Sequence, residues 1–93
     1  MTMEDQEESG EAHELREIEP NTFSNGHLRW DYHGDRHWIM RYATVGRDGV
    51  SLGRIRFSPV WREYIFTPKD GLVLAHDCLK DVSDLLVILN ARR

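Results

Sequence analysis

The apolar positions between residues 77 and 92 recur at intervals of three and four, which is the period of one face of an α-helix. The apolar set is Cys78, Leu79, Val82, Leu85, Leu86 and Leu89, and the polar residues between them are Lys80, Asp81, Ser83, Asp84 and Asn90. Asp77 can accept hydrogen bonds from the free amides of a first turn, and Arg92 and Arg93 suit the negative end of a helix dipole. The pattern therefore predicts one amphipathic helix that begins at Asp77 and buries a single stripe.

Two shorter runs before this helix alternate apolar and polar residues with a period of two. Residues 54–57 and 62–67 are separated by Ser58 and Pro59, and turn-forming residues follow at 68–71. This pattern predicts two strands joined by a loop. We expect one face to carry Ile55, Phe57, Tyr64 and Phe66, and the other to carry Arg54, Arg56, Glu63 and Ile65.

Residues 28–32 and 37–45 predict two further strands. Their apolar sets lie on the same face only if Tyr32 is opposite Trp38 and Trp30 is opposite Met40, which requires a loop of odd length such as residues 34–36. Turn residues follow at 46–49. The alternation then slips by one at Gly53, which predicts a bulge there.

Together these runs predict an α+β domain: a three- or four-stranded antiparallel meander sheet with one C-terminal helix packed on one face. One helix cannot cover both faces of a sheet. The far face is therefore expected to be solvated or to form an interface, and it carries Arg29, Asp31, Arg41, Arg54, Arg56 and Glu63.

Charge divides the 93-residue chain, whose net charge is −4. Residues 1–20 hold eight acids against Arg16, a charge of −7, whereas the remaining residues hold eleven bases and eight acids, a charge of +3. This predicts an acidic, largely disordered tail over residues 1–20 and a single domain over residues 21–93. Within the tail, the three-residue spacing of Ala12, Leu15 and Ile18 predicts a short helix over residues 11–19 that Pro20 ends.

The tail is either a solvated segment that aids solubility or an arm that contacts a basic partner or shields the basic face of the domain itself. The acids assigned to partner binding are Glu4, Asp5, Glu7, Glu8, Glu11, Glu14, Glu17 and Glu19.

The composition narrows the classes of function. A lone cysteine, Cys78, excludes an internal disulfide, and we expect it to be a buried apolar residue in a reducing compartment. No apolar run is long enough to span a membrane and the acidic start does not resemble a signal peptide, which predicts a cytoplasmic protein without membrane contact.

Neither a metal nor a cofactor is expected. His33 and His37 come opposite each other beside Asp31, but no further ligands complete a zinc site. The glycines occur singly at turns and no serine has the context of an activated nucleophile, so we expect no catalytic residues and no enzymatic activity.

Arginines on the predicted strands form a candidate nucleic-acid or partner face, comprising Arg41, Arg54, Arg56, Arg62 and Glu63. The competing interpretation is a solvated face with cross-strand arginine–glutamate pairs, because alternation directs most aromatic residues away from these arginines.

Three segments share a further pattern: G-x-I-x-F from Gly53, W-R-x-Y-x-F-x-P from Trp61, and C-L-x-D-V-x-D-L from Cys78. Over roughly the C-terminal forty residues this pattern resembles short bacteriophage and mobile-element proteins. The resemblance implies a phage or prophage protein that acts in the cytoplasm of a bacterial host, and it transfers no catalytic residues.

Three hypotheses of function follow. The first is an inhibitor or counter-defence protein, similar to anti-CRISPR or anti-restriction proteins, whose acidic tail binds a host protein that handles nucleic acid. The alternative is a small nucleic-acid-binding module that uses the basic sheet face. The third is a self-assembling protein that forms a homodimer through open sheet edges.

Overall fold

A computed structural model describes residues 14–92 and contains one antiparallel sheet, a short 3₁₀ helix and one α-helix. The six strands follow each other in the sheet in chain order, and the helix comes last. The strands are β1 (Arg16–Glu19), β2 (Thr22–Ser24), β3 (Leu28–Tyr32), β4 (His37–Tyr42), β5 (Gly53–Ser58) and β6 (Glu63–Pro68); the 3₁₀ helix is Gly46–Asp48 and the α-helix is α1 (His76–Arg92). The α+β class and the C-terminal helix are confirmed. The predicted number of strands is wrong, because the sheet has six.

The two strands that the sequence did not predict come first. Residues 16–19, which the sequence assigned to the tail and to a helix, form β1, and all four are exposed. The three-residue spacing of Leu15 and Ile18 is accommodated in the strand by an irregularity of register between Glu17 and Glu19. Pro20 begins the turn to β2 instead of ending a helix, and Asn21 completes it at a φ of 65°.

The predicted pairing of β3 and β4 is confirmed. Tyr32 lies opposite Trp38 and Trp30 lies opposite Met40. The amide of His33 donates to the carbonyl of His37 at 2.8 Å, which leaves the three loop residues 34–36 between them. All three have positive φ, so Asp35 and Arg36 hold a conformation that is uncommon for residues other than glycine.

The pairing of β5 and β6 also agrees with the sequence, because Ile55 lies opposite Phe66 and Phe57 lies opposite Tyr64. At the start of β5, Gly53 is the register partner of Met40, and the Leu52 amide donates to the Met40 carbonyl at 2.7 Å. Two consecutive residues, Leu52 and Gly53, thus lie opposite the single residue Met40. Leu52 and Ile55, three positions apart in the chain, are both buried.

Helix α1 begins one residue earlier than predicted. The Ala75 carbonyl accepts a hydrogen bond from Leu79 at 3.0 Å, so Asp77 lies inside the first turn and acts on the dipole. The apolar stripe is narrower than predicted: Leu79 is 53% exposed and Cys78 is half-buried. The buried hydrophobic core is Phe23, Leu28, Trp30, Trp38, Met40, Leu52, Ile55, Tyr64, Val82, Leu85 and Leu89.

The two ends of the domain differ in charge. The turns after β1, β3 and β5 and the C-terminal end of α1 meet at one end, where three arginines cluster. At the other end, the first turns of α1 carry Asp77, Asp81 and Asp84 around a shallow cavity. The hydrogen bond from the Tyr64 amide to Asn90 Oδ1, 2.7 Å long, fixes the helix C-terminus at the basic end.

Candidate nucleic-acid interface

The face of the sheet that α1 does not cover, called here the helix-free face, is organised around Asp31. This residue is 5% exposed. Arg29 donates two hydrogen bonds to its carboxylate, from Nε at 3.1 Å and from Nη2 at 2.8 Å. Arg41 Nη1 and Arg47 Nε each lie 3.4 Å from a carboxylate oxygen of Asp31. These four residues form the Asp31 cluster.

The Asp31 cluster connects four parts of the chain. Arg41 Nε donates to the Gly49 carbonyl at 2.9 Å, and Arg47 Nη2 lies 2.7 Å from Glu19 Oε1. Strands β1, β3 and β4 are thereby joined to the turn that contains the 3₁₀ helix. Arg41, which the sequence assigned to a nucleic-acid face, is half-buried in this network.

The arginines of the cluster determine the direction in which the pKa of Asp31 departs from its ordinary value. Burial by itself raises the pKa of Asp31. The hydrogen bond and the charge of Arg29, followed by the charges of Arg47 and Arg41, outweigh burial and hold the pKa below its ordinary value. Asp31 therefore stabilises the fold as a carboxylate.

Arg54 and Arg56 lie exposed on the helix-free face, as the sequence predicted. Arg56 is the register partner of His37, and burial, followed by the charges of Arg54, His33 and Arg56, lowers the pKa of His37. The residues opposite these arginines across the sheet are Ile39, Ile65 and Thr67. This part of the face can contact phosphates, but the described strands direct their phenylalanine, tyrosine and tryptophan side chains to the opposite side. The aromatic ring that the strands place beside these arginines is that of His37, which is half-buried.

Arg62 lies elsewhere. Together with Arg36 and Arg92 it lines a cavity of about 570 Å³ at the basic end of the domain, and the other lining residues are Phe57 and Tyr64. We call this the arginine cavity. The sequence analysis grouped Arg62 with Arg41, Arg54 and Arg56 on one sheet face, whereas in the structure Arg62 lies at the basic end.

Two arginines of the cavity, Arg36 and Arg92, are positioned by contacts with aromatic rings. The Arg36 guanidinium lies 4.1 Å from the centroid of the Phe57 ring, a cation–π geometry. Arg92 lies 5.5 Å from the Phe23 ring centroid, and its Nη1 is 3.4 Å from Glu17 Oε1. Arg92 also lies at the negative end of the helix dipole, whereas Arg36 and Arg62 lie on turns of the sheet.

The turn after β5 carries an exposed aromatic residue, Trp61, directly before Arg62 in the chain. Trp61 is 70% exposed and Val60 is 87% exposed. The Trp61 amide donates to Ser58 Oγ at 3.2 Å, and the Arg62 amide donates to the Ser58 carbonyl at 2.7 Å. The backbone of this turn is therefore fixed although its side chains are exposed.

The other residues assigned from the sequence are dispersed. Glu63 is half-buried opposite Ser58. Glu14 is exposed, whereas Glu17 and Glu19 form ion pairs with Arg92 and Arg47. Five acids assigned to partner binding lie outside the described residues: Glu4, Asp5, Glu7, Glu8 and Glu11.

An apolar groove of about 790 Å³ runs between α1 and β6, the last strand of the sheet. It is bordered by Leu79 and by Val87, which is 66% exposed. The Asn90 side chain closes one end of this groove by bonding the outward-facing amide of Tyr64.

The His33 and His37 rings have centroids 6.0 Å apart. Residues 14–92 contain no group of three side chains suited to binding a metal ion. Within the same residues, no helix is both long enough and apolar enough to cross a bilayer.

Sequence reasoning missed Arg36 and Arg92 as site residues. Arg36 was assigned only to a loop and Arg92 only to the helix dipole. Their convergence with Arg62 depends on three turns reaching the same end of the sheet, which is a tertiary property. No protein-family model, curated protein or solved structure matches this chain.

Proposed function

We propose that this is a non-enzymatic nucleic-acid-binding protein that contacts a single strand through the arginine cavity and Trp61. The observation that carries this proposal is the grouping of Arg36, Arg62 and Arg92 around aromatic side chains, with an exposed tryptophan one residue before Arg62 in the chain. Guanidinium groups bind phosphates with fixed geometry, and exposed aromatic rings stack on unpaired bases.

The basic end suits this role better than the helix-free face. On the helix-free face, Arg29, Arg41 and Arg47 are held by Asp31, which leaves Arg54 and Arg56 as its exposed cations. Stacking on one aromatic side chain is worth about 1–3 kcal/mol per base, so the position of Trp61 favours the basic end.

Fluorescence anisotropy with a labelled single-stranded oligonucleotide tests the proposal. We expect Trp61→Ala to weaken binding roughly tenfold through lost stacking, and Val60→Ala, on the same turn, to serve as the matched control. Binding should weaken as salt rises, because phosphate contacts release counterions. Trp30 and Trp38 are buried, so quenching of the exposed tryptophan reports directly on Trp61.

A double Arg54→Gln, Arg56→Gln variant separates the two basic surfaces. If this variant loses binding while Trp61→Ala keeps it, the interface is the helix-free face and the assignment to the arginine cavity is wrong. A chain that starts at residue 14 should bind more tightly than the full chain, since the acids removed repel phosphates.

A second candidate function is a counter-defence inhibitor that binds a host protein handling nucleic acid, in the phage setting that the sequence pattern implies. The exposure of Val60 and Trp61 on a fixed turn supports it, because tryptophan and arginine are the residues that most often dominate protein interfaces. A nuclease-resistant complex with such a host protein, lost both in Trp61→Ala and without residues 1–13, would favour the inhibitor over the nucleic-acid-binding protein.

A further inference from the structure

We infer that the arginine cavity receives the terminal phosphate of a nucleic-acid strand and not a phosphodiester within it. This inference rests on the proposed function and specifies the ligand group at the same site.

The arginine cavity adjoins a second, smaller cavity. The smaller cavity has a volume of about 200 Å³ and shares Arg36, Tyr64 and Arg92 with the arginine cavity. It is also lined by Phe23, Trp38 and Leu89, each of which is less than 5% exposed. None of the residues that line the smaller cavity is acidic, so it adds no negative charge beside the arginines.

The charge of the lining suits a terminal phosphate. Three of the five residues that line the arginine cavity are arginines, and none of those five is acidic. A phosphate monoester carries a charge of about −1.5 to −2 near neutral pH, whereas a phosphodiester carries a single negative charge. Several guanidinium groups around one cavity thus favour the monoester over the diester.

The backbone of Arg36 and Arg62 is held in place before a ligand binds. The Arg36 amide donates to the Tyr32 hydroxyl at 3.3 Å, and the Arg36 carbonyl accepts from the Phe57 amide at 3.3 Å. Arg36 and Arg62 hold φ values of 54° and 60°, a conformation that costs energy for residues other than glycine. The surrounding hydrogen bonds keep both turns in this conformation, which lowers the entropic cost of binding an anion.

The test compares single-stranded oligonucleotides of one sequence, about ten nucleotides long, that carry a 5′-phosphate, a 3′-phosphate or no terminal phosphate. We expect one phosphorylated form to bind about tenfold more tightly than the unphosphorylated one, as charge-assisted hydrogen bonds to one added group allow. Arg36→Asn and Arg62→Asn should abolish this preference while tolerating positive φ. Arg56→Gln, on the helix-free face, should keep it.

The outcomes separate the two proposals. Equal affinity for all three oligonucleotides would overturn the terminal-phosphate inference and leave the proposed function standing. Failure of every oligonucleotide to bind would overturn both. Competition by a nucleoside monophosphate, but not by inorganic phosphate at the same concentration, would support a site for a terminal nucleotide with its phosphate.

Discussion

Replacing Asp31 with asparagine tests whether the Asp31 cluster stabilises the domain. The change keeps the side-chain shape and one acceptor oxygen but leaves Arg29, Arg41 and Arg47 without their shared negative charge. Losing one partner of a buried ion pair costs about 3–5 kcal/mol. Arg29 makes the two close contacts, while Arg41 and Arg47 lie 3.4 Å away and the Arg47 side chain is 61% exposed. We therefore expect a loss at or below the lower limit of that range, about 2–3 kcal/mol.

Urea unfolding followed by the fluorescence of the buried Trp30 and Trp38 measures this loss. Since small domains have only about 5–15 kcal/mol of stability, the transition should move clearly to lower urea concentration. Asp48→Asn makes the same chemical change at an exposed position and should alter stability by less than about 0.5 kcal/mol. An Asp31→Asn variant as stable as Asp48→Asn would refute the stabilising role of the cluster.

The stability difference between the natural protein and Asp31→Asn should depend on pH. The pKa of Asp31 is lower in the folded state than in the unfolded chain, so its contribution is fully present above the unfolded value of about 3.9. This contribution is lost as the pH falls through the folded pKa. The stability difference between the natural protein and Asp31→Asn should therefore narrow below about pH 4, and a constant difference would contradict the lowered pKa.

Three further substitutions test other parts of the fold. The lowered pKa of His37 means that protonation favours unfolding, so stability should fall as the pH drops below about 6.5. In urea titrations at several pH values, His37→Gln should reduce this dependence of stability on pH. An unchanged dependence would show that a group other than His37 causes it. A Cβ at Gly53 would lie 2.7 Å from the Thr67 carbonyl oxygen and 2.8 Å from the Phe66 ring, so Gly53→Ala should cost about 1–3 kcal/mol. An unchanged melting temperature would show that β5 and β6 accommodate the methyl group without cost. Asn90→Ala removes the acceptor of the Tyr64 amide and should cost about 1–2 kcal/mol of stability. Because this amide lies on the last strand of the sheet, its exposure should also promote association that light scattering detects. A variant that stays monomeric and fully stable would show that this bond is dispensable.

The parts of the fold that could be predicted are those that follow from patterns within short segments of the sequence. The register of Trp30 with Met40 follows from two alternating runs and the parity of one loop. Strands β1 and β2 gave no comparable signal. Every residue of β1 is exposed, so it has no apolar alternation, and β2 is only three residues long. Their place in the sheet depends on the pairing of β1 with β2 and of β2 with β3, which outweighs local preference.

The candidate site was predictable in chemistry but not in position. Alternation correctly placed Arg54 and Arg56 on the helix-free face. It could not show that Asp31 would hold Arg41, because that contact crosses from β3 to β4 and involves the turn after it. Nor could it bring Arg36 to Arg62, since turns lack a period from which side-chain direction can be predicted.

The two ends of α1 separate charge within residues 14–92: Asp77, Asp81 and Asp84, partly offset by Lys80, lie at one end, and the arginine cavity, partly offset by Glu17, lies at the other. In the field of a polyanion, such a molecule experiences a torque that turns the cavity forward before contact. Fewer encounters are then lost to wrong orientations, so the arrangement raises the association rate more than it slows dissociation. Added salt should therefore affect mainly how fast a complex forms, and the geometry of the bound state should persist.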